Sequence, residues 1–413
     1  MEEIKPQSNN PLTRDSIAQQ TAADLLANER PCLQTDFICL SHLRWDFVYQ
    51  RPQHLLSRFG KHRRVFYVEE PVIEDIDVAS MHITPRTDHV RVVVPHLPRG
   101  LSEEEALEAQ RRLLDEMIEE HELDNYTLWY YTPMALNFTR HLNPQRVIYD
   151  CMDELSLFKG APQSLLDLER ELFAFADHVF TGGHSLFESK KSRHPSVHAF
   201  PSSIDHAHFM QARTKGPEPE DQKHIPHPRV GFFGVIDERA DLELIEGAAR
   251  LRPDWQFVMI GPVVKIDPSK LPQLPNIHFL GMKSYSELPA YLAHWDLAML
   301  PFALNEATRF ISPTKTPEYL AAGKPVVSTA IRDVIRPYAE EGLVHIVSTP
   351  QEFIIEGELA MREKAKDPQW LNRIDQFLSN TSWEKTWNRM AHLERSIDCM
   401  TVKISEVPTS ALH

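Results

Sequence analysis

The sequence predicts an α/β protein with two doubly wound, mostly parallel sheets. Short apolar runs alternate with amphipathic helical stretches over residues 36–200, and the alternation starts again at residue 229. Parallel strands need crossover connections, which are usually helices, so this pattern is typical of parallel α/β sheets. The intervening residues 212–228 are rich in proline and charge, as linkers are. A chain of 413 residues is long enough for two domains with separate cores.

The first series opens with a buried apolar run, and period-3.6 patterns predict helices between the later runs. Its predicted strands are 36–41, 65–68, 91–94, 128–131, 146–149 and 178–181, and its predicted helices are 51–59, 102–121 and 162–176.

The second series has the same character, and its last helix carries an apolar stripe that starts at Trp383. Its predicted strands are 229–234, 257–262, 277–281, 297–301, 326–327 and 344–347, with helices ending at residue 251 and spanning 288–294.

These patterns divide the chain into six predicted parts. They are a mobile N-terminal segment, a first α/β domain, a linker, a second α/β domain, a terminal helix and a frayed tail. The corresponding residues are 1–34, 35–210, 211–228, 229–382, 383–400 and 401–413.

The charge balance excludes some functions. The formal net charge is −15, from 44 Lys+Arg against 59 Asp+Glu, which argues against a nucleic-acid groove. No apolar run approaches the ~18–20 residues of a membrane span, and the acidic N-terminus is unlike a signal peptide. Scattered cysteines suit a reducing cytoplasm. The basic residues 190–194 predict a solvated helix face, with peripheral contact to anionic lipid at the inner membrane face as the alternative.

A metal site is not predicted. The four cysteines and 21 histidines show no ligand spacing. The sequence Asp75-Ile76-Asp77 is interpreted as a solvated acidic loop.

Residues 312–329 predict a loop, a short helix, a glycine stop at Gly323 and a buried strand. Thr316 is the preferred N-cap, because Pro317 then occupies the first helical position without cost. Ser312 is the alternative N-cap.

The same stretch predicts a phosphate site. Lys315 and the backbone amides of a helix N-terminus would bind an anion. Glu318, in the first turn, would accept hydrogen bonds from sugar hydroxyls. The alternative is a surface turn in which both side chains are solvated.

A second ligand-binding loop is predicted at residues 42–51, after the carboxyl end of the first strand, where ligands bind in parallel sheets. Its aromatic and ionisable side chains would hold a sugar or an anionic acceptor. The alternative is that the aromatics are core residues and the arginine lies on a helix surface. The side chains are His42, Arg44, Trp45, Asp46, Phe47, Tyr49 and Arg51.

Acids also follow two predicted strands, at residues 69–70 and 150–154. Among the latter, Asp150, Asp153 or Glu154 would serve as a general base for a sugar hydroxyl, or would cap the next helix. The glycine turn at 181–185 permits close backbone approach to a ligand, although it lacks a full dinucleotide-binding pattern.

The 312–329 stretch resembles the donor-binding segment of GT-B glycosyltransferases, family-4/family-1-like, of the bacterial cell-surface polysaccharide (teichuronic-acid-type) group. There a Pro-x-Lys-x-x-Glu-Tyr-Leu-Ala-x-Gly-x-Pro-Val-Val run holds a nucleotide-sugar, with the lysine at the diphosphate and the glutamate at the ribose. The family has a second glutamate eight residues earlier, where this sequence has Phe310. The matching residues are Pro313, Lys315, Glu318, Tyr319, Leu320, Ala321, Gly323, Pro325, Val326 and Val327.

The resemblance covers about 36–400 and implies two Rossmann-like domains facing a central cleft, with a C-terminal helix that crosses back to the first domain. It implies a nucleotide-sugar donor, UDP-sugar foremost and GDP-sugar as the alternative, with no other cofactor and no metal. The donor-site residues that it indicates are Gly234, Arg239, Gly261, Ser312, Thr314, Lys315, Thr316 and Glu318.

The predicted function is transfer of a sugar to a hydroxyl group of a glycan or lipid-linked acceptor. His42, Asp46 and Asp153 are the candidate catalytic residues. Inversion would need one of the two aspartates as a base, whereas retention would not. A nucleotide-sugar epimerase and a non-catalytic scaffold on the same fold are the alternatives.

Overall fold

The computed structural model describes residues 35–405, with side chains described as far as residue 396. The predicted segment 1–34 and residues 406–413 of the predicted tail lie outside this part of the chain. From Asp36 onwards the described residues belong to one compact unit that contains two sheets.

The first sheet contains nine strands. They are β1 (Asp36–Leu40), β2 (Val65–Val68), β3 (Val72–Glu74), β4 (Ser80–Pro85), β5 (Val90–Pro98), β6 (Tyr126–Tyr130), β7 (Arg146–Cys151), β8 (His178–Thr181) and β9 (Val197–Ala199). Their order is β3-β5-β2-β1-β6-β7-β8-β9, with β4 antiparallel to β5 and every other pairing parallel.

The second sheet contains six parallel strands. They are β10 (Arg229–Phe233), β11 (Gln256–Ile260), β12 (Ile277–Phe279), β13 (Leu297–Leu300), β14 (Val326–Ser328) and β15 (His345–Ile346). The order β12-β11-β10-β13-β14-β15 reverses direction at β10. Ligands of doubly wound sheets bind at such a reversal, outside the carboxyl ends of the strands.

Thirteen α-helices of the described residues connect and flank these strands. They are α1 (Arg51–Phe59), α2 (Glu103–Glu120), α3 (Leu136–Thr139), α4 (Ser164–Phe175), α5 (His184–Lys190), α6 (His206–Met210), α7 (Leu242–Leu251), α8 (Leu288–Ala293), α9 (Lys315–Ala321), α10 (Arg332–Val334), α11 (Pro350–Lys366), α12 (Trp370–Leu378) and α13 (Trp383–Ser405).

Local side chains explain where several helices begin. At α2 the Ser102 hydroxyl accepts from the Glu105 amide, and the Glu105 carboxylate accepts from the Ser102 amide. At α11 the Thr349 hydroxyl accepts a hydrogen bond from the Glu352 amide. These bonds satisfy amides that a helix leaves free at its start, so the boundaries follow from the sequence.

The strands that sequence patterns missed are short and lie at the edges of the first sheet. Val72–Glu74 and Ser80–Pro85 contain no buried residue, and Val197–Ala199 is only half buried. They therefore lack the continuous apolar runs that predicted the central strands.

The terminal helix α13 packs beside α1, on one face of the first sheet. Trp383 and Met390 are buried in the same core cluster as Phe37 and Phe59. The Glu394 carboxylate, also buried, accepts a hydrogen bond from Arg63 at 3.0 Å.

The basic cluster at residues 190–194 is only partly a solvated face, because Lys191 and Arg193 are exposed and Lys190 is not. Lys190 is buried, with its Nζ 2.6 Å from Glu154 and 2.8 Å from Glu169. Arg193 also pairs with Glu169, at 2.6 Å. The prediction was wrong for Lys190, because acids distant in sequence surround it. Lys190 is therefore also unable to contact lipid, as the alternative required. The neighbouring Lys191 is exposed.

No helix within residues 35–405 combines the length and the apolarity needed to cross a bilayer.

Candidate active site

Two glycines form the floor of a cleft at the strand reversal of the second sheet. Gly234 follows β10 and Gly261 follows β11, with φ angles of +148° and +143°. A Cβ on Gly261 would lie 1.8 Å from the Gly234 carbonyl oxygen, so the two loops pack backbone to backbone. A side chain at Gly261 would therefore displace the Gly234 loop, and only glycine fits there.

Helix α9 begins between the two predicted starts, two residues before the preferred one and two after the alternative. Its first residue is Lys315 and its N-cap position is Thr314. Pro317 is therefore the third helical residue, which is still tolerated because amides of the first turn have no intrahelical partner. The Thr316 amide donates to the Pro313 carbonyl at 3.2 Å, so fewer amides are free for phosphate than predicted.

The end of α9 is as predicted. Gly323 has φ +71° just after the helix, and its amide donates to Leu320 at 2.8 Å. The Lys324 amide donates to Tyr319 at 2.9 Å. This pair of bonds is the Schellman motif, which needs a left-handed residue such as glycine.

Lys315 and Glu318 lie together beside the glycine floor. A Cβ on Gly234 would lie 3.0 Å from the Lys315 Cε atom, so the lysine crosses directly over this glycine. Glu318 is only 6% exposed, and its Oε2 atom has no hydrogen-bond partner among the described residues. Burial lowers the pKa of Lys315 and raises that of Glu318, while the attraction between their charges opposes both shifts.

Two further cations approach from neighbouring loops. Arg239 donates through Nε and Nη2 to Asp237, at 2.7–3.2 Å. Lys265, in the loop after β11, has φ +60°, which is uncommon for a residue with a side chain. The Phe158 ring of the first sheet's side lies 5.6 Å from the Arg239 guanidinium and 5.8 Å from the Lys265 ammonium.

His42 and Asp153 face this cationic region from the first sheet. The Nδ1 atom of His42 is buried and has no hydrogen-bond partner in the described chain. Burial lowers the pKa of His42, and the Asp153 carboxylate opposes this by raising it. Asp153 is also within electrostatic range of Lys315 and Arg239. The fold therefore brings together five of the predicted ionisable site residues, which are His42, Asp153, Arg239, Lys315 and Glu318.

Asp46 lies elsewhere. Its side chain is 62% exposed and accepts from Arg86 at 3.0 Å. It lines the cavity that Lys315 also lines, whereas His42 and Asp153 are not among the lining residues. The predicted catalytic residues thus occupy two different parts of the cleft.

The cavity has a volume of about 330 Å³ and lies between the two sheets. The first sheet contributes the loop after β1, and the second contributes the strand ends and the start of α9. Its lining residues are Trp45, Asp46, Phe47, Val48, Tyr49, Gln53, Phe233, Gly234, Ile260, Gly261, Pro262, Met282, Lys283, Ser284, Tyr285, Leu288, Thr314, Lys315 and Glu318.

Of the three remaining predicted donor-site residues, only Thr314 lines the cavity. The Thr314 hydroxyl accepts from Lys315 Nζ at 3.2 Å and lines the cavity. Thr316 is fully buried with an unpartnered Oγ1 within the described chain. Ser312 instead joins the two sheets, because its carbonyl accepts from the Ser202 hydroxyl at 2.7 Å.

Several groups predicted to meet a ligand meet protein instead. Arg51 is buried and forms a two-pronged ion pair with Asp150, at 2.8 Å for Nη2. A Cβ on Gly183 would lie 2.3 Å from the Asp333 carboxylate, which accepts from the Ser185 amide at 2.9 Å. The space beside the glycine turn is therefore occupied by the Asp333 side chain, which follows β14, and not by a ligand.

Sequence reasoning missed Asp237, Lys265 and Tyr285 at the cleft. Each follows the end of a predicted strand, so strand position was a usable signal for all three. The left-handed φ of Lys265 and the pairing of Asp237 with Arg239 are properties of the folded chain. Within the described residues, no group of three or more His, Cys, Asp or Glu side chains is arranged to hold a metal ion.

The chain is similar to known proteins, and a family match covers the part that carries the second sheet. Residues 227–356 match the family model described as Glycosyl transferases group 1. A protein of Bacillus subtilis (strain 168), assigned as the teichuronic acid biosynthesis glycosyltransferase TuaH, is 26% identical over 233 residues. That match covers 52% of this chain and 58% of the relative.

Three solved structures share the fold over nearly their whole length. Sucrose-phosphate synthase from Thermosynechococcus elongatus has a TM-score of 0.65 at 15% identity, over 89% of this chain and 100% of its own. Starch synthase IV from Arabidopsis thaliana, bound to ADP and acarbose, has 0.60 at 11%, over 88% and 99%. The E. coli trehalose-6-phosphate structure bound with UDP-2-fluoro glucose has 0.59 at 12%, over 91% and 100%. The two-sheet α/β architecture is the GT-B fold, as the sequence predicted.

Proposed function

We propose that this chain, which carries a group 1 glycosyltransferase domain on a GT-B fold, transfers a sugar from a nucleotide-sugar to an acceptor hydroxyl. The observation that carries the proposal is the buried pair of Lys315 and Glu318 beside the glycine floor of the cavity. A buried carboxylate oxygen with no partner in the described chain costs stability, and a ligand hydroxyl would satisfy it.

The geometry supports an orientation for the donor. The diphosphate would lie over Gly234, with Lys315 as its nearest cation. Arg239 and Lys265 would add charge at the side of the diphosphate that faces the first sheet. The ribose hydroxyls would bond to Glu318, one helical turn along α9 from the lysine.

The reaction breaks the bond between the sugar and the diphosphate and forms a bond from the sugar to the acceptor oxygen. Negative charge grows on the departing diphosphate, so fixed cations at Lys315, Arg239 and Lys265 stabilise the transition state. The acceptor hydroxyl loses a proton, and Asp153 is the candidate base because it lies near these cations. Asp46 is a poorer candidate, since it is exposed and paired with Arg86.

Retention remains the alternative stereochemical outcome. The position of the family's second glutamate holds Phe310, which packs against the core beneath the first sheet. It supplies no carboxylate to the sugar. His42, with an unpartnered ring nitrogen near Asp153, would bond to a hydroxyl of the transferred sugar in either mechanism.

UDP is the proposed nucleotide, with GDP and ADP as alternatives. The similar structures include one bound with UDP-2-fluoro glucose and one bound to ADP, and the Bacillus relative is named for teichuronic acid synthesis. The acceptor class that fits these names is a growing glycan, free or lipid-linked.

The test is thermal unfolding of the purified protein with UDP, GDP and ADP, repeated with Lys315→Ala and Glu318→Ala. A ligand at ~100 times its dissociation constant adds about 2.7 kcal/mol of stability, which is readily measured. Stabilisation of the wild-type protein, lost in both variants, is the expected result. Lys191→Ala is the matched control, because this lysine is exposed and outside the cavity.

Turnover then separates the alternatives. Incubation of the nucleotide-sugar with acceptor glycans should release the nucleoside diphosphate and lengthen the glycan. Conversion of the nucleotide-sugar without an acceptor would indicate an epimerase. No stabilisation by any of the three nucleotides would overturn the proposal in favour of a scaffold.

A further inference from the structure

The cavity lining continues from Glu318 to Tyr285 and Ser284. Tyr285 lies close enough to Glu318 for that carboxylate to raise the pKa of the Tyr285 hydroxyl, after burial as the first cause. Ser284, the preceding residue, also lines this part of the cavity. If the diphosphate lies at Lys315 and the ribose at Glu318, the base of the nucleotide occupies this end.

The opposite wall comes from the first sheet. It is the segment Trp45 to Tyr49, which we call the aromatic loop and which follows β1. The base end of the cavity therefore has one wall from each sheet.

Two rings of the aromatic loop have different surroundings. Tyr49 stacks on Tyr285, with ring centres 4.7 Å apart and planes inclined by 28°. Phe47 lines the same cavity, is 40% exposed, and has no ring neighbour among the described residues. Tyr49 thus holds the loop against the second sheet's side, whereas Phe47 presents an uncovered aromatic face.

The aromatic loop is anchored along its length. The Trp45 amide donates to the Glu69 carboxylate at 2.7 Å, and its carbonyl accepts from the Gln53 side chain at 2.6 Å. Gln53 also donates to the Val48 carbonyl at 3.1 Å. Bonds on both sides of Phe47 fix its position, so it is a preformed part of the wall.

We propose that Phe47 stacks on the base of the donor nucleotide, so that the first sheet's aromatic loop completes the nucleoside pocket of the second. The inference rests on the proposed function, because it takes the diphosphate position from Lys315. It replaces the predicted role of this loop, which was to hold a sugar or an anionic acceptor. Stacking on a π-face tolerates any base, so Phe47 contributes affinity for the nucleoside rather than a choice among bases.

Isothermal titration of the full chain with UDP and with inorganic pyrophosphate tests this inference. Phe47→Ala should weaken UDP binding about tenfold, as loss of base stacking does, and leave pyrophosphate binding unchanged. Phe47→Leu keeps apolar volume but loses the aromatic face, and should also weaken UDP binding selectively. Phe175→Ala is the matched control, since Phe175 is 46% exposed at the end of α4 and outside the cavity.

Each result decides between defined readings. Equal weakening of UDP and pyrophosphate would overturn the stacking role, because the effect would then lie at the diphosphate or in the fold. If Phe47→Ala leaves UDP affinity unchanged and raises the KM for the acceptor, the aromatic loop binds the acceptor and the stacking role is overturned. Failure of the wild-type protein to bind either ligand would instead refute the donor site itself.

Discussion

At the scale of single residues, the cleft contains groups whose arrangement opposes stability. Glu318 is a buried carboxylate with one unpartnered oxygen in the described chain, and Gly261 has a backbone conformation that other residues rarely adopt. The unpartnered oxygen persists where a ligand compensates for it, whereas the Gly261 conformation simply requires glycine. They lead to two predictions about individual substitutions.

Glu318→Gln should raise the stability of the ligand-free protein while weakening UDP binding. Burial raises the pKa of Glu318 to about 8, so this carboxyl group opposes folding at neutral pH, and the amide removes that cost. The amide bonds less strongly to a ribose diol. We expect UDP affinity to fall roughly tenfold and pyrophosphate affinity to stay unchanged, measured by calorimetry. A loss of both stability and pyrophosphate binding would show that the carboxylate supports the fold instead.

Gly261→Ala should unfold or strongly destabilise the protein. The added Cβ would lie 1.8 Å from the Gly234 carbonyl oxygen, so both strand-end loops must move. We expect a loss of more than about 3 kcal/mol in the free energy of unfolding, measured with urea. Gly100→Ala is the control, because Gly100 also has positive φ, +92°, but no atom near its Cβ position; it should cost about 1 kcal/mol. Equal losses would mean that backbone strain, not the contact, dominates.

At the scale of elements, the acidic segment after β7 is held by a buried lysine. Lys190 of α5 bonds to Glu154 in that segment and to Glu169 of α4. Asp153 precedes Glu154, so this network positions the candidate base.

Lys190→Met should therefore affect both stability and catalysis. Removing the cation leaves Glu154 without its lysine and Glu169 paired with Arg193 alone. Breaking a buried ion pair in this way costs about 3 kcal/mol or more. Because Asp153 would shift with its segment, kcat should fall more than the affinity for UDP does. Stability from urea unfolding and steady-state kinetics would measure the two effects.

The neighbouring lysine provides the control. Lys191 is half exposed and pairs with Glu188 on the same helix, so Lys191→Met should change stability by less than about 1 kcal/mol. A Lys190→Met protein with lower stability but unchanged kcat would show that the network does not position Asp153.

At the scale of the whole molecule, a series of stacked rings links the terminal helix to both sheets. His54 of α1 stacks on Trp383 of α13, with centres 4.5 Å apart and planes inclined by 11°. Its ring also meets Tyr49 at 4.7 Å, and Tyr49 stacks on Tyr285. Through Tyr285 the series reaches His208, whose ring centre is 4.1 Å away.

This arrangement makes stability depend on pH. Burial first, then the charges of Arg58 and His208, lowers the pKa of His54 to about 3. In the unfolded chain a histidine has a pKa of about 6.5. Above that pH both states are neutral, and the contribution of His54 to stability is complete. As the pH falls from about 6.5 towards 3, the unfolded state gains a proton that the folded state does not, so stability decreases.

His54→Phe should flatten this dependence. The substitution keeps a ring against Trp383 but removes the proton, so the slope of unfolding free energy between pH 6 and 4 should fall by up to about 1.4 kcal/mol per pH unit. His62→Phe is the matched control, since His62 stacks on Trp387 of the same helix but is exposed. If both variants, unfolded in urea at several pH values, keep the wild-type slope, protonation of His54 does not oppose folding.

Contacts of the same scale join the two sheets near the cleft. The Asp333 carboxylate accepts from the Ser185 amide, and the Ser312 carbonyl accepts from the Ser202 hydroxyl. Neither pairing is visible in sequence, because each partner is more than a hundred residues from the other.

The sequence by itself determined the fold class, the central strands and the helix, glycine stop and strand of residues 315–328. Continuous apolar runs predict buried parallel strands wherever they occur, and a lysine, a glutamate and a glycine stop within ten residues depend only on local spacing. The central strands around β1 and β10 and the glycine end of α9 followed from these local signals.

Only the tertiary structure decided what the remaining charged and aromatic residues do. Arg51 was predicted to meet a ligand and Lys190 to be solvated, but they are buried against Asp150 and Glu169. Phe47, predicted to lie in a ligand-binding loop, lines the cavity. The residues that they contact come from elements far apart in the chain. A local sequence pattern therefore cannot predict these contacts. The division of the candidate catalytic residues between two parts of the cleft has the same physical origin.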